Sequence, residues 1–173
     1  AGRIYFTPAP LAPADAKAGP VKAADPVAAA VADLNYHLRK MAGAELAVVP
    51  ADRPDAVKGP AIVLGELAVK LGAAPRKKSL SQEGFRILVK DDLVLIGGES
   101  DAGVAFGVYE LLERLGCDWV MPGEIGEIIP RQTTVAVPVM DESQAPDFAR
   151  RQLWYRGYRT KEHPAKPEEG ERF

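Results

Sequence analysis

The residues that could do chemistry in this chain cluster at its glycines. Gly97-Gly98-Glu99-Ser100-Asp101-Ala102-Gly103 follows an apolar run ending at Ile96 and opens an amphipathic one. That is the setting of a phosphate-binding turn, where backbone N–H groups at a helix N-terminus cradle an anion. The spacing, however, gives neither G-x-G-x-x-G nor a Walker loop, and Glu99 and Asp101 put negative charge where a pyrophosphate has to sit. A structural reading fits better: Gly97 and Gly98 turn the chain, while Gly103 and Gly107 let a helix approach a sheet closely.

Carboxylates pair at Asp91-Asp92, Glu99/Asp101 and Glu124/Glu127, each at a turn or helix start where acidic residues are favoured without a catalytic duty. A glycosidase needs two such groups across a sugar cleft, and residues 1–140 show no wall of aromatic side chains around any pair. His37 and His163 are far apart, whereas zinc needs three or four converging ligands, so no metal site is expected. Cys117 is the single cysteine and excludes an internal disulfide; beside Asp118, with no base nearby, it reads as a small buried hydrophobe rather than a nucleophile. No catalytic residue and no cofactor is assigned. Residues 148–160, FARRQLWYRGYRT, differ in kind: Arg150, Arg151, Arg156 and Arg159 form a solvated cationic edge or a ligand contact, and Trp154, Tyr155 and Tyr158 stack on a pyranose or pack under a neighbouring domain.

The elements that must position these residues are legible from punctuation and period. Residues 3–7 read as a strand and 8–20, rich in Pro and Ala, as an extended connector. Asp25 caps a helix with Pro26 at its first position; Val27, Val31, Leu34, Leu38 and Met41 form its apolar stripe and Gly43 ends it. Residues 46–49 and 61–64 read as strands covered on both faces, and 66–71 as a helical turn or two. Residues 84–90 and 93–96 flank Asp91-Asp92 as a tight hairpin, and 76–81 read as an exposed loop. Ser100 or Asp101 caps the next helix, whose Val104, Val108, Leu111, Leu112 and Leu115 face a core until Gly116. Residues 117–121 and 133–137 suggest two further strands joined through the loop 122–126. The pattern predicts an α/β (α+β) fold, a mixed sheet covered by two main helices. Domain organisation follows as 1–140, a polar linker 141–147, and a tail 148–173.

Composition narrows the partners. The 173 residues, 47% hydrophobic, suffice for one domain with a real core. The 22 basic and 24 acidic residues are spread along the chain and net to -2, which argues against nucleic acid or an anionic membrane as partner. No apolar run approaches the roughly 20 residues of a membrane span, and AGRIYFTPAP lacks the regions of a signal peptide.

Gly97, Gly98, Gly103, Phe106, Gly107, Tyr109, Leu111 and Leu112, followed by Leu115, Gly116, Cys117, Trp119 and Pro122, resemble one particular strand-turn-helix junction. It belongs to the small α/β domain preceding the catalytic (β/α)8 barrel in family 20 hexosaminidases, family 67 α-glucuronidases and related bacterial glycoside-hydrolase-like proteins. Leu34, Leu38, Met41, Gly43 and Ala44 resemble that domain's upstream helix ending, while Val104 and Ala105 stand where Thr or Leu is more usual. Phe148-Ala149-Arg150-Arg151-Gln152-Leu153 resembles the Phe-x-x-Arg-Gly-Leu entry to the barrel, with Gln152 in place of Gly and Arg156 where an Asp is usual.

The resemblance implies a hexosaminidase N-terminal-domain-like fold with no catalytic residue, followed from residue 148 by the first strand of a barrel or a disordered tail. The catalytic carboxylates would lie beyond Phe173. The partners would be the chain's own C-terminal barrel and a carbohydrate substrate, contacted by Arg151 and Trp154, in an extracytoplasmic setting, periplasmic or secreted. Two other classes stay open: a free-standing module that binds a sugar or protein through the aromatic tail, and, disfavoured by Glu99 and Asp101, a nucleotide-binding domain.

Overall fold

Four apolar residues without alternation, Ala-Ile-Val-Leu, make the central strand β3 (Ala61–Leu64), every side chain of which is buried. The run is continuous because both sheet faces are covered there. In the computed structural model, which describes residues 2–7, 25–121 and 123–151, β3 lies between β1 (Arg3–Phe6) and β5 (Leu93–Gly98), parallel to both. Strand β2 (Ala47–Pro50) pairs parallel with β1, and β4 (Phe85–Lys90) returns antiparallel along β5, giving a mixed sheet. The tight turn of that hairpin places Asp91 at φ 53, a conformation that Asp tolerates better than most residues. A last strand, β8 (Asp141–Gln144), completes the order β2-β1-β3-β5-β4-β8.

Helices α1 (Pro26–Ala42) and α3 (Asp101–Arg114) cover one face, packing on Ile4, Ile62, Leu64, Val94 and Ile96. The other face, carrying Tyr5, Ala61, Val63 and Leu95, is covered by α2 (Glu66–Lys70) through Leu67 and Ala68. The period-two alternation of β3 and β5 thus divides one sheet between two cores. Asp25 accepts from Val27 N–H at 3.0 Å and Ala28 N–H at 3.3 Å to cap α1. Gly43, at φ 70, ends that helix left-handed as a C-terminal glycine does. Ser100 caps α3 by accepting from Gly103 N–H at 3.3 Å. A two-residue ladder, β6 (Asp118–Trp119) on β7 (Glu127–Ile128), stands apart from the main sheet.

Four expectations change. Strand β2 is not covered on both faces: it is a sheet edge, and Val48 is 42% exposed. Residues 133–137 are not a strand, although Val135 and Val137 pack on the α1–α3 core; the partner that β6 finds is Glu127–Ile128. The edge beyond β4 is taken instead by Asp141–Gln144, where a polar linker is expected to begin. Polar side chains hold it: Arg86 Nε donates to Asp141 Oδ1 at 2.8 Å, Arg76 also engages Asp141, and Ser143 Oγ donates to Phe85 O at 3.2 Å. Those guanidinium groups hold the Asp141 carboxyl below its usual range, Arg86 most strongly. Finally, Gly97 and Gly98 do not turn the chain. They are strand residues, and a Cβ at Gly98 would lie 2.5 Å from Val104 N and 2.7 Å from Ser100 O, so glycine is required by the close passage of α3.

Candidate functional site

The glycine junction is occupied by the protein itself. Glu99 Oε2 accepts from Ser79 N–H at 2.9 Å, Ser79 Oγ–H at 3.0 Å and Gly84 N–H at 2.9 Å, tying the 79–84 loop to the start of α3. The Ser79 amide leads the effects that lower the Glu99 carboxyl below its ordinary range. Gly103 packs on the Gly84 carbonyl, 2.6 Å from where its Cβ would stand. The donors it takes are those of the 79–84 loop; at the start of α3, Gly103 N–H is taken by the Ser100 hydroxyl and Val104 N–H by the Ser100 carbonyl.

Arg151 is placed beside that loop. Its Nη2 donates to Glu83 Oε2 at 2.5 Å, and its guanidinium carbon lies 6.0 Å from the centre of the Phe106 ring. Ser81 Oγ donates to the same Glu83 oxygen at 2.8 Å. An open depression of about 490 Å3, lined by Phe85, Phe106, Tyr109, Glu113 and Pro146, adjoins the pair. Half-exposed ion pairs of this kind contribute about 0–1 kcal/mol, so Arg151 is positioned rather than locked. Arg150 is exposed, and Trp154 lies outside the described residues.

A second depression, of about 830 Å3, was not legible in the sequence. It opens where α1, α3 and the β6–β7 ladder meet and brings aromatic side chains beside one of the expected acidic pairs, Glu124/Glu127, where the sequence showed none; the pairs Asp91-Asp92 and Glu99/Asp101 are not part of it. Tyr36, Tyr109 and Trp119 line it together with His37 and the carboxylates of Asp33, Glu113, Glu124 and Glu127. The rings meet edge to face: His37 with Tyr36 at 5.1 Å, His37 with Trp119 at 5.2 Å, and Tyr109 with Trp119 at 5.9 Å between centroids. Tyr109 donates to Asp33 Oδ2 at 2.5 Å; burial first, then that carboxylate, pushes its hydroxyl up to about 12. Tyr36 donates to Glu127 Oε2 at 3.0 Å. Lys40 reaches the same carboxylate at 3.8 Å while lying 4.5 Å over the Tyr36 ring.

His37 is 3% exposed, and its Nδ1 is 2.7 Å from the Asp33 carbonyl oxygen. A carbonyl can only accept, so Nδ1 carries a proton; Nε2 meets no hydrogen-bond partner among the described residues. Among those residues no three His, Cys, Asp or Glu side chains converge as metal ligands. Cys117 is buried, and burial pushes its thiol up, away from nucleophilic use. Among the described residues, the carboxyls displaced from the ordinary range, Glu99 and Asp141, are both displaced downward, the wrong direction for a general acid.

No protein-family model matches the chain, and no curated protein is similar to it. Solved structures are. A family GH115 4-O-methyl-α-glucuronidase with specificity for decorated arabinogalactans superposes with TM-score 0.54 at 16% identity, covering 84% of this chain and 18% of that one. A GH138 enzyme targeting pectin rhamnogalacturonan II gives TM-score 0.48 at 16% identity over 85% of this chain and 12% of that one. The likeness is one of fold, and this chain spans less than a fifth of either protein. Among the described residues no helix is long and apolar enough to cross a membrane.

Proposed function

We propose that this chain is a non-catalytic α/β domain of a larger, extracytoplasmic glycoside hydrolase of the hexosaminidase and α-glucuronidase kind. The observation that supports this most is the scale of the fold match: 84% of the chain corresponds to 18% of an α-glucuronidase. A domain of that proportion accompanies chemistry performed elsewhere, here by a C-terminal (β/α)8 barrel that uses a carboxylate pair at its strand ends. In this reading residues 1–144 form the domain, closed by β8, 145–147 lead out of it, and 148–173 begin the barrel. Arg151 leaves Glu83 to donate paired hydrogen bonds to sugar hydroxyls or a uronate carboxylate, beside Trp154.

The test compares this chain with the product of its complete natural reading frame on aryl glycosides. The chain alone should turn over none of them and the complete protein at least one. In the complete protein Arg151→Lys should lower kcat/KM while Arg150→Lys leaves it unchanged. A reading frame that stops at residue 173 would refute the proposal, as would turnover by the chain alone that a substitution within residues 1–140 abolishes.

A further inference from the structure

The open depression of about 490 Å3 separates the outer side of α3 from the segment that leads the chain out of the sheet. Phe106, Tyr109, Glu110 and Glu113, at helical spacings of three and four, form one wall, and the exit segment with Arg151 forms the other. The chain thus leaves its last strand beside a wall that is both aromatic and acidic. Arg151 shows how that wall takes a cation: its guanidinium donates to Glu83 and lies over the Phe106 ring. Phe106 is still 42% exposed and Phe148 73%, so apolar surface stays uncovered at the exit. The sequence that follows is complementary to it. Residues 152–161, QLWYRGYRTK, carry Arg156, Arg159 and Lys161, the aromatic side chains of Trp154, Tyr155 and Tyr158, and no acid.

We propose that the outer side of α3 is a docking surface for residues 152–161 of this same chain. Arg156 and Arg159 meet Glu113 and Glu110, and the rings of Tyr155 and Tyr158 cover Phe106 and Tyr109, so that cations face carboxylates and aromatics face aromatics. The reach is sufficient. From Phe106 to Glu113 the helix rises about 10 Å, whereas ten extended residues span up to roughly 33 Å. Individually weak contacts are enough, because the segment is tethered at Arg151 and docks intramolecularly, at an effective concentration on the order of millimolar. The inference is independent of the activity proposed above and asks nothing of Trp154. Docking keeps the exit of the chain on α3 even when Arg151 leaves Glu83.

The experiment uses the whole chain carrying a nitroxide on Thr160→Cys, near the far end of the segment from its tether; Cys117 is buried and is not labelled. In the amide spectrum the label should broaden Tyr109 to Glu113 on α3 and leave α2, on the other face of the sheet, sharp. No broadening on α3, or equal broadening on both helices, would overturn the docking. So would broadening of an isotope-enriched, unlabelled chain mixed with the nitroxide-bearing one, which would assign the surface to a second copy. Two substitutions on the surface give an independent measure. Glu113 is exposed and Phe106 half-exposed, so Glu113→Lys and Phe106→Ser keep the fold, checked by their melting curves. Each should release the segment more often, so that trypsin cleaves after Arg156 and Arg159 roughly three- to tenfold faster than in the parent chain. Cleavage at the parental rate in both variants would refute the proposal.

Discussion

Gly107 fixes how closely α3 approaches the sheet, and therefore where Tyr109 and Glu113 stand beside both depressions. An ideal Cβ at this position would lie 2.5 Å from Ile96 Cγ2 and 3.3 Å from the Phe85 ring. Carbon atoms rest at about 3.5–4.0 Å, so alanine must push α3 and β5 apart by roughly 1 Å. Ile96 is fully buried, and its Cγ2 is a branch methyl on a strand rather than the end of a flexible chain, so the overlap is not relieved by a rotation. Overpacking costs about 1–3 kcal/mol, against a gain of about 1 kcal/mol in helix propensity. Gly107→Ala should therefore destabilise by about 1 kcal/mol net, a fall in Tm of roughly 2–4 °C for a domain of this size. Gly107→Leu should reach the upper end, about 3 kcal/mol.

The decisive measurement is a double-mutant cycle by thermal and urea unfolding. Ile96→Ala alone should cost about 2–5 kcal/mol, the range for emptying a core position. In that background Gly107→Ala no longer meets Cγ2 and should become neutral or stabilising by up to about 1 kcal/mol. The sign reversal corresponds to a coupling of about 1–2 kcal/mol, well beyond the error of additive sites. A higher Tm for Gly107→Ala in the wild-type background, or the same effect in both backgrounds, would refute the close-packing argument.

What the sequence revealed was local. The caps at Asp25 and Ser100, the stripe from Val27 to Met41 and the terminal Gly43 each lie within a few residues of what they control, so both main helices are legible. The buried run of β3 is likewise its own signal. Strand β8 is not legible because Asp-Glu-Ser-Gln has no apolar face; it is a strand through Arg86, Arg76 and Ser143, partners far away in the chain. The same physics hid the second depression. Tyr109 meets Asp33 across 76 positions, and Tyr36 meets Glu127 across 91, so a wall of aromatics appears only after two helices and a ladder have packed. Gly97 and Gly98 illustrate an error of another kind: a glycine pair reads as a turn, whereas here the missing side chains make room for a passing backbone.

Two further perturbations test the electrostatics. Glu99→Gln should lower Tm at neutral pH, because the amide cannot replace the charge-assisted bonds from Ser79 and Gly84. The Glu99 carboxyl is held below its unfolded value of about 4.3, so its contribution is present above that pH and lost as pH falls through the lower folded value. The Tm gap between wild type and Glu99→Gln should close on acidification, and a gap constant from neutral to acid pH would contradict the latch. Tyr109 gives the opposite dependence. Its hydroxyl is raised to about 12 in the folded protein, whereas an unfolded tyrosine ionises near 10, so its stabilisation is complete below about pH 10 and is lost as pH rises toward 12. Two units correspond to about 2.7 kcal/mol, and screening of a partly exposed ring reduces this to the order of 1 kcal/mol. Tyr109→Phe removes that alkaline loss while leaving Asp33 without its donor at neutral pH, so it should flatten stability against pH between 10 and 12 and lower it at pH 7. Tyr5, held below its usual value chiefly by Arg3, contributes with the reverse sign and is common to both proteins, so it cancels in the difference. An unchanged alkaline slope in Tyr109→Phe, or ultraviolet titration in which Tyr109 ionises along with the other tyrosines, would show that the Tyr109–Asp33 bond does not hold the aromatic wall as described.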